Sequence, residues 1–459
     1  MQTTKKYRQY QKYKSSNIEW IEDIPEHWNR TTLKRLTYIK ITDGPHETPI
    51  FLDEGIPFVS AEAIQNGTIN FNDIRGHISK EQDKIYSRKC KPKQGDIFVV
   101  KSGSTTGKVA IVETDKDFNI WSPIALIRFN KMKMNNLYGF YFLQSTIFQT
   151  QVQQFWSFGT QPNVGMNVLE NLWLAIPNIE EQKDIANFLD KKTVYIDNIL
   201  DKKQRLIELL KEKRQTLISH AVTKGLDENV KLKPSDIDWI SSIPEHWKTI
   251  SVSNLIRSNV MEIQDGNHGE LHPKTDDYVE RGIPFIMAND IRNGRVSLSD
   301  CKFISKEQGD KLRIGFAVEN DVLLTHKGTI GEVAILEKST VPYVMLTPQV
   351  TYYRMKTQDL FNRYLYYYFQ SLYFKNQMDC ISSNQSTRAY VGIIAQKEFI
   401  IILPILAEQQ IIAKFLDEKT EKIDQIVSKI ELQIEKLKEY RQTLISNAVT
   451  GKIDVREAA

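Results

Sequence analysis

The stretch Gly103–Lys108 comes closest to a catalytic motif in this chain, because it combines glycines, hydroxyls and a lysine as a phosphate-binding P-loop does. It has three residues between its glycines where a P-loop has four, and Val109 follows the lysine where Ser or Thr is required. A second copy, Gly328–Glu332, ends in an acid that would repel a phosphate. Both segments therefore favour a hairpin turn over a nucleotide site.

Other catalytic signatures are missing from the sequence. It contains no Gly-x-Ser-x-Gly elbow, no His-Glu-x-x-His helix and no Asn-Pro-Pro-Tyr/Phe tetrapeptide of the kind that positions an amino group for methyl transfer. Cys90, Cys301 and Cys380 are too far apart for a disulfide framework or a cysteine metal site, which fits a reducing compartment. No run approaches the ~18 apolar residues of a membrane span, and no signal peptide is visible. The sequence predicts a cytoplasmic, non-catalytic protein without a metal.

Polar and cationic side chains in short loops are the better candidates for chemistry. Lys and Arg neutralise phosphates, and Asn, Gln and Arg bond base edges bidentately. The net charge is only +4, so a nucleic-acid surface would need clustered cations. The candidates in the first half are Arg88, Lys89, Lys101, Ser102, Ser104, Thr105, Lys108, Gln161 and Asn163. Those in the second half are Arg292, Asn293, Arg295, Lys327, Thr329, Asn384, Gln385 and Arg388. The alternative is that each loop is an ordinary solvated surface.

Two copies of one long helix would have to position these loops. Glu181–Asp227 and Glu408–Asp454 agree at 28 of 47 positions, far above chance at one offset. Each copy begins just after a proline, which resists helix on its N-terminal side. Each ends near a glycine, a common helix stop. At about 1.5 Å per residue, such a helix makes a rod of roughly 60 Å.

Apolar residues recur in these helices at heptad spacing, which is typical of a coiled coil. The predicted seam residues are Leu189, Ile196, Ile199, Leu206, Leu210, Leu217, Leu416, Ile423, Ile426, Ile430, Leu437 and Leu444. Polar residues such as Lys203 and Gln433 interrupt the pattern. The simplest partner for each helix is the other copy, and the alternative is that each helix serves a different protein.

The repeat extends beyond the helices. Ile18–Trp28 returns as Ile237–Trp247, with paired tryptophans around a proline turn. Gly55–Phe58 returns as Gly282–Phe285, and the β-branched runs that follow, broken by turn residues, predict short strands. The aromatic stretches Leu137–Phe155 and Leu360–Met378 predict helices. Residues 1–17 hold five basic residues and no acid, which predicts a loose tail, either solvated or phosphate-seeking. The predicted segments are a tail, a domain, a helical spacer, a second domain and a second spacer: 1–17, 18–176, 177–225, 226–403 and 404–459.

The predicted fold class is therefore α+β. It consists of two tandem repeats, each a mixed α/β domain followed by a long helix, and the helices pair as an antiparallel coiled coil. Such a repeat gives one chain an approximate two-fold, as in a homodimer.

Two similar but unequal domains at a fixed separation could contact DNA at two places, because its grooves recur every ~34 Å. DNA recognition is accordingly the preferred hypothesis. A two-headed protein-interaction scaffold is the main alternative, and a nuclease or methyltransferase is a third that the missing motifs disfavour.

The chain resembles the specificity (S) subunit of type I restriction–modification enzymes over nearly its full length. The words that carry the resemblance occur in the family's order: Trp20 with Ile24-Pro25 and Trp28, Gly95–Phe98 with Gly103 and Gly107, Gly159–Asn163, and Pro177 with Glu181–Ala186 and Phe188-Leu189. The second copy departs from them with Asn320-Asp321 and Asn384–Thr387. Such divergence is expected of a domain that reads a different half-site.

The resemblance implies that each domain reads one half of a bipartite, asymmetric double-stranded DNA target, while the paired helices set the gap. The helices and their flanks would dock two methyltransferase subunits, and restriction subunits would join that core. S-adenosylmethionine, ATP and Mg would be bound by those partners. This chain itself would be catalytically silent and bind no cofactor.

Overall fold

The computed structural model describes residues 7–456 except 156, 159–161, 238, 270, 339 and 384–389. The predicted site residues Gln161, Asn384, Gln385 and Arg388 lie outside the described residues. The chain forms two compact units: unit 1 takes the chain up to Lys203 and again from Glu431, and unit 2 takes Gln204–Ile430. Each unit therefore contains one half of each long helix. No helix among the described residues is long and apolar enough to cross a membrane.

Unit 1 consists mainly of short strands. Its strands are β1 (Tyr13–Ile18), β2 (Ile21–Pro25), β3 (Asn29–Thr32), β4 (Thr42–Asp43), β5 (Ile56–Val59), β6 (Ile64–Gln65), β7 (Thr68–Ile69), β8 (His77–Ile78), β9 (Ile97–Val100), β10 (Val109–Ile111), β11 (Asn119–Ile120), β12 (Ile124–Ile127), β13 (Ser157–Phe158), β14 (Pro162–Asn163) and β15 (Trp173–Ile176). Its helices are α1 (Lys80–Tyr86), α2 (Asn136–Gln144), α3 (Thr146–Gln154), α4 (Met166–Asn171) and the first part of α5 (Ile179–Lys224).

A four-stranded antiparallel sheet in the order β10-β9-β12-β4 lies at the centre of unit 1. A three-stranded sheet, β11-β5-β8, lies beside it, and β3 pairs with β15 just before α5. The main core joins one face of the central sheet to α2, α3, α5 and the end of the second long helix. The sheet thus supports loops at one end while the helices cover its face.

Unit 2 repeats this plan. Its strands are β16 (Leu232–Ile237), β17 (Ile240–Pro244), β18 (Lys248–Ser251), β19 (Met261–Asp265), β20 (Tyr278–Val279), β21 (Ile283–Ile286), β22 (Ile291–Arg292), β23 (Arg295–Val296), β24 (Lys302–Ile304), β25 (Phe316–Ala317), β26 (Val322–Thr325), β27 (Val333–Ile335), β28 (Val344–Leu346), β29 (Val350–Met355) and β30 (Ile400–Leu403). Its helices are α6 (Val252–Arg257), α7 (Lys306–Lys311), α8 (Asn362–Gln370), α9 (Leu372–Ser383), α10 (Ile393–Gln396) and the first part of α11 (Leu406–Val449).

The central sheet of unit 2 has the order β19-β29-β26-β27, the counterpart of β4-β12-β9-β10. Its main core joins this sheet to α8, α9, the end of α5 and the start of α11. The mixed α/β class and the tandem repeat are thus confirmed.

The predicted aromatic helices are each two helices. The break falls at Ser145 between α2 and α3, and at Ser371 between α8 and α9. Each serine hydroxyl accepts a hydrogen bond from a backbone N–H of the following helix, at Phe148 (3.3 Å) and Phe374 (3.2 Å). A serine in this position satisfies a backbone donor at the start of a new helix. The chain can therefore change direction at the serine although the apolar pattern continues through it.

The two long helices pack antiparallel within each unit. In unit 1, Arg441 Nε of α11 donates to Asp197 Oδ1 of α5 (2.9 Å), and Lys203 Nζ donates to Gln433 Oε1 (2.6 Å). Residue numbers thus increase along one helix where they decrease along the other, as in an antiparallel pair. Lys203 and Gln433, which interrupt the predicted seam, are partners of each other.

Most residues of the predicted seam are buried or half-buried, and two are exposed beside a buried neighbour. Leu189, Ile196, Leu416, Ile423, Ile430 and Leu444 are buried, while Ile199, Leu210, Leu217 and Leu437 are half-buried. Leu206 and Ile426 are 45% and 46% exposed, so their assignment to the seam was wrong. Ile207 and Val427 are buried instead. At each of these points two adjacent residues are apolar, and the position of the partner helix decides which of the two faces inward.

The N-terminal segment is folded from residue 7 onward, so the prediction of a loose tail was wrong for residues 7–17. β1 pairs with β2, and Arg8 forms a backbone bridge with Asp454 near the other end of the chain. Tyr10 is 6% exposed, and its hydroxyl donates to Glu181 Oε1 at 2.8 Å. The tyrosines in this basic segment anchor it to unit 1.

Candidate nucleic-acid interface

The segment 101–108 connects the antiparallel strands β9 and β10 and is a hairpin connection, as favoured over a P-loop. Gly103 and Gly107 have φ of +100° and +91°, where a side chain would be strained. The Thr106 hydroxyl donates to Gly103 O at 2.7 Å and fixes the turn. Ser104 and Lys108 are exposed, and Thr105 is half-buried. The loop is rigid and presents hydroxyls and one cation to solvent.

A second loop is bonded to the first. Gly103 N donates to Pro162 O (3.1 Å), Val164 N donates to Lys101 O (2.7 Å), and Ser102 forms a β-bridge with Asn163. Ser102 and Asn163, which the sequence proposed separately, are therefore neighbours.

Asp43 joins a third segment to this surface. Its carboxylate accepts hydrogen bonds from Lys89 Nζ (2.5 Å) and lies 3.1 Å from Lys101 Nζ and 3.2 Å from His46 Nε2. Burial by itself raises the pKa of Asp43, but the hydrogen bonds from Lys89 and Lys101 outweigh it and hold the pKa below its usual value. The segments that hold Lys89 and Lys101 thus converge on one carboxylate, and the loop at Asn163 joins them through its bridge to Ser102.

The sequence pointed to the lysines but missed Asp43. Its signal was the repeated pair Asp43-Gly44 and Asp265-Gly266, in which a glycine follows the acid. Both Lys89 and Lys101 are paired with Asp43, but Lys101 is 9% exposed and supports the surface from beneath, whereas Lys89 and Arg88 are exposed. The cations available to a ligand in unit 1 are therefore the outer ones.

Unit 2 has the same loop arrangement with different side chains. The segment 326–331 connects β26 to β27, Val391 N donates to His326 O (3.0 Å), and Lys327 forms a β-bridge with Tyr390. Lys327 and Thr329 are exposed. His326 occupies the place of Lys101, and Tyr390 the place of Asn163. No sequence pattern singled out His326 or Tyr390.

His326 is 1% exposed and lies beside a carboxylate. Its Nε2 is 3.4 Å from Asp265 Oδ1, which also accepts a hydrogen bond from the Thr351 hydroxyl at 2.6 Å. Burial lowers the pKa of His326, the charge of Asp265 opposes that change, and Lys327 adds to it. Unit 2 thus replaces a buried lysine–aspartate pair with a buried histidine–aspartate pair.

The candidates Arg292 and Arg295 of unit 2 lie on a separate hairpin. Asn293 and Gly294 form the turn between β22 and β23 with φ of 52° and 79°, as a two-residue hairpin turn requires. Arg292, Asn293 and Arg295 are exposed. The hairpin contacts β27, the strand that also follows the 326–331 loop, so both sets of cations adjoin one sheet edge.

The sites described contain no metal-binding constellation: among the residues that the structure describes, no group of three His, Cys, Asp or Glu side chains is placed to hold an ion.

The sequence matches the family described as the type I restriction modification DNA specificity domain twice, over residues 25–211 and 244–436. These matches cover more than half of the chain. Each match includes one domain and most of the helix that follows it.

Similar proteins carry the same description. The MjaVIII type I restriction enzyme specificity subunit of Methanocaldococcus jannaschii is 24% identical, with 97% of each chain covered. The EcoKI specificity subunit of Escherichia coli K12 is 24% identical over 46% of this chain and 44% of its own length.

Solved structures share the fold. A chain from a structure of type I R-M complex assembly and conformational transition has a TM-score of 0.69 at 16% identity, with 93% of this chain and 98% of that chain covered. The HsdS subunit of Thermoanaerobacter tengcongensis has a TM-score of 0.50 at 17% identity, covering 94% and 98%. With two copies of the specificity domain in tandem, this chain belongs to the type I restriction–modification DNA specificity family and is a specificity subunit with two recognition domains.

Proposed function

We propose that unit 1 and unit 2 each read one half of a bipartite, asymmetric DNA sequence, and that the long helices set the unread gap between the halves. The observation that carries this proposal is that the two units share their internal contacts while the side chains on their corresponding loops differ. A common frame with unlike loops suits the reading of two unlike half-sites.

The shared frame is visible in repeat-related contacts. In each unit an arginine forms two hydrogen bonds with a buried aspartate at the start of a central strand. A tyrosine of the first aromatic helix bonds to an aspartate and a threonine on a long helix. A serine near the end of a long helix caps the second aromatic helix. The pairs are Arg128–Asp96 and Arg354–Asp321, Tyr141–Asp190–Thr193 and Tyr367–Asp417–Thr420, and Ser446–Thr146 and Ser219–Leu372.

The outer cations supply the DNA affinity in this proposal. In unit 1 they are Arg88, Lys89 and Lys108, and in unit 2 Arg292, Arg295 and Lys327. Salt bridges to phosphates position a protein on a duplex, while Asn, Ser, Thr and Arg side chains read base edges. Ser102, Ser104, Thr105 and Asn163 in unit 1, and Asn293 and Thr329 in unit 2, are the described candidates.

The helices also supply docking surfaces for two methyltransferase subunits. Apolar side chains remain exposed on them, namely Val194 and Tyr195 in unit 1 and Leu206, Leu209 and Ile426 in unit 2. Exposed apolar groups on a rod suit a partner that buries them. In this proposal the chain is non-catalytic, while S-adenosylmethionine, ATP and Mg are bound by the methyltransferase and restriction subunits.

The decisive experiment maps methylated positions across the genome of cells that carry this chain with its partner subunits. We expect one split, asymmetric motif. Replacing residues 248–403 with the corresponding domain of another specificity subunit should change one half of the motif and leave the other. A purified complex that binds scrambled and cognate duplexes equally at physiological salt would rule the proposal out.

The gap is tested separately by inserting four residues after Lys203, within α5. Such an insertion lengthens and rewinds a coiled coil. We expect both half-site sequences to persist and the number of unread base pairs between them to change. The same insertion in an exposed loop, after Met132, is the matched control and should leave the motif intact.

A further inference from the structure

The β-bridge between the two loops carries different side-chain chemistry in the two units. Unit 1 has Ser102 opposite Asn163 there, and unit 2 has Lys327 opposite Tyr390. The backbone is alike, since Val164 N and Val391 N donate to the carbonyls of Lys101 and His326 at 2.7 and 3.0 Å. A small polar pair has thus been exchanged for a cation and an aromatic ring on the same backbone.

The Tyr390 ring is held on several sides while remaining 37% exposed. Its centroid is 5.7 Å from that of the buried His326 ring, and Lys327 Nζ lies 5.8 Å from it. A Cβ at Gly392 would come within 3.0 Å of the Tyr390 hydroxyl and 3.1 Å of a ring carbon. The hydroxyl end of the ring therefore rests on the backbone at Gly392, which leaves other parts of the ring exposed.

In unit 1 the described residues leave the corresponding space open. A Cβ at Gly165, the counterpart of Gly392, would meet nothing within 4 Å among the residues that the structure describes. Gly165 and Gly392 have the same φ of −63°, so neither position requires glycine for its backbone conformation, and at Gly392 a side chain would displace the ring by a few tenths of an ångström. The aromatic ring is thus an addition specific to unit 2.

We propose that Tyr390 is a specificity-determining residue of unit 2, whose ring contacts a thymine methyl group in the major groove while Lys327 binds an adjacent phosphate. This inference rests on the proposed function. The thymine methyl is the apolar group that a base pair presents in the major groove. A rigid ring with a neighbouring cation matches that group, whereas the amide of Asn163 at the same place in unit 1 matches a hydrogen-bonding base edge.

The test uses the complete complex with its methyltransferase subunits and the motif found by genome mapping. Each thymine in the half-site that residues 248–403 determine is replaced in turn by deoxyuridine, which lacks only the methyl group. We expect one replacement to weaken binding of the unchanged protein by on the order of tenfold. Tyr390→Asn should weaken binding to the natural duplex and be insensitive to that replacement, while Tyr390→Phe should behave like the natural protein.

Tyr38→Asn is the matched control, because it removes an exposed tyrosine of unit 1 and should keep the full response to deoxyuridine. The inference is overturned if the half-site has no thymine on either strand, or if the unchanged complex tolerates deoxyuridine at every position. The latter measurement needs no variant, so a misfolded Tyr390→Asn does not obscure the result. A complex that yields no split motif at all would instead contradict the proposed function.

Discussion

Unit 1 and unit 2 have the same interior, and each closes on the end of a long helix that belongs to the other sequence repeat. In unit 1 the Tyr138 hydroxyl donates to Val449 O at the end of α11 (3.1 Å). In unit 2 the Tyr364 hydroxyl donates to Val222 O at the end of α5 (3.2 Å). The boundaries of the folded units therefore differ from the boundaries of the sequence repeats. Neither domain completes its core with its own helix alone.

The units differ at the start of the long helices. Glu181 is 4% exposed and has Tyr10 Oη, His27 Nε2 and Trp28 Nε1 within 2.8, 2.8 and 3.1 Å. Its counterpart Glu408, with a side chain 33% exposed, retains the histidine and tryptophan contacts at 3.0 Å. The additional donor in unit 1 comes from the N-terminal segment.

A second difference lies beneath the loops. Asp43 is held by two lysines in unit 1, and Asp265 by a neutralisable histidine and a hydroxyl in unit 2. Both differences change the hydrogen-bonding or charged partners of a carboxylate at corresponding positions of the two units. The fold thus tolerates changes of side chain wherever the carboxylate keeps a partner.

The largest expected effect tests the first difference. Glu181→Ala leaves buried donors without their acceptor and should destabilise unit 1 by about 3 kcal/mol. Glu408→Ala, at a more exposed site, should destabilise unit 2 by about 1 kcal/mol. Urea unfolding combined with hydrogen exchange in the strands of each unit measures both values. Equal losses in the two units would show that Tyr10 adds nothing.

The shared tyrosines should behave alike. Each hydroxyl bonds to two carbonyl oxygens, for Tyr138 those of Ala175 and Val449 and for Tyr364 those of Ile402 and Val222. Tyr138→Phe and Tyr364→Phe should each cost about 1–2 kcal/mol in the free energy of unfolding. Exchange rates at the ends of α11 and α5 report the two effects. A large cost in one unit alone would contradict the common frame.

Lowering the pH should reduce the stability of unit 2, where His326 lies beside Asp265. Burial lowers the pKa of His326 below 6.5, so on unfolding below that pH the imidazole takes up a proton that the folded unit disfavours. This contribution to stability is complete above about pH 6.5 and is lost as the pH falls through the lowered folded-state pKa. We expect the hydrogen-exchange protection factors of β26 and β29, which correct for the intrinsic pH dependence of exchange, to fall on acidification, and His326→Gln to reduce that dependence. An identical pH response in the variant would exclude His326 as its source.

The smallest effect concerns the repeat-related ion pairs of the helices. Arg441–Asp197 in unit 1 and Arg214–Asp424 in unit 2 have distances of 2.9 and 3.0 Å, with partly exposed side chains. Double-mutant cycles with alanine should give coupling energies of about 0.5 kcal/mol in each unit. Arg214 also donates to Gln370, so Arg214→Ala alone should cost slightly more than Arg441→Ala. A coupling energy far above 1 kcal/mol in either unit would show that ion pairs, and not apolar packing, determine how the two helices pair.

Sequence reasoning recovered the repeat, the long helices and most of their seam. It misplaced the seam at Leu206 and Ile426, because Leu206-Ile207 and Ile426-Val427 are both apolar pairs. It also described residues 7–17 by their charge, although Tyr10 decides their position. Heptad spacing fixes a period, but the neighbouring helix fixes which of two adjacent residues faces inward.

Among the candidate site residues, the sequence identified the loops but not the carboxylates beneath them. Asp43 lies far along the chain from Lys89 and Lys101, and no local pattern joins them. Tyr390 was missed for the same reason, since its partners Lys327 and His326 lie in a distant hairpin.

The sequence by itself determined the tandem repeat, the helical rods and the short strands, since these follow from periodicity and turn residues within local segments. Only the tertiary structure decided which helix end completes each core, which carboxylate gathers the cations and which ring stands on Gly392. Most of those outcomes depend on contacts between residues that are distant along the chain, which are set by packing and by the pairing of buried charge rather than by local preference.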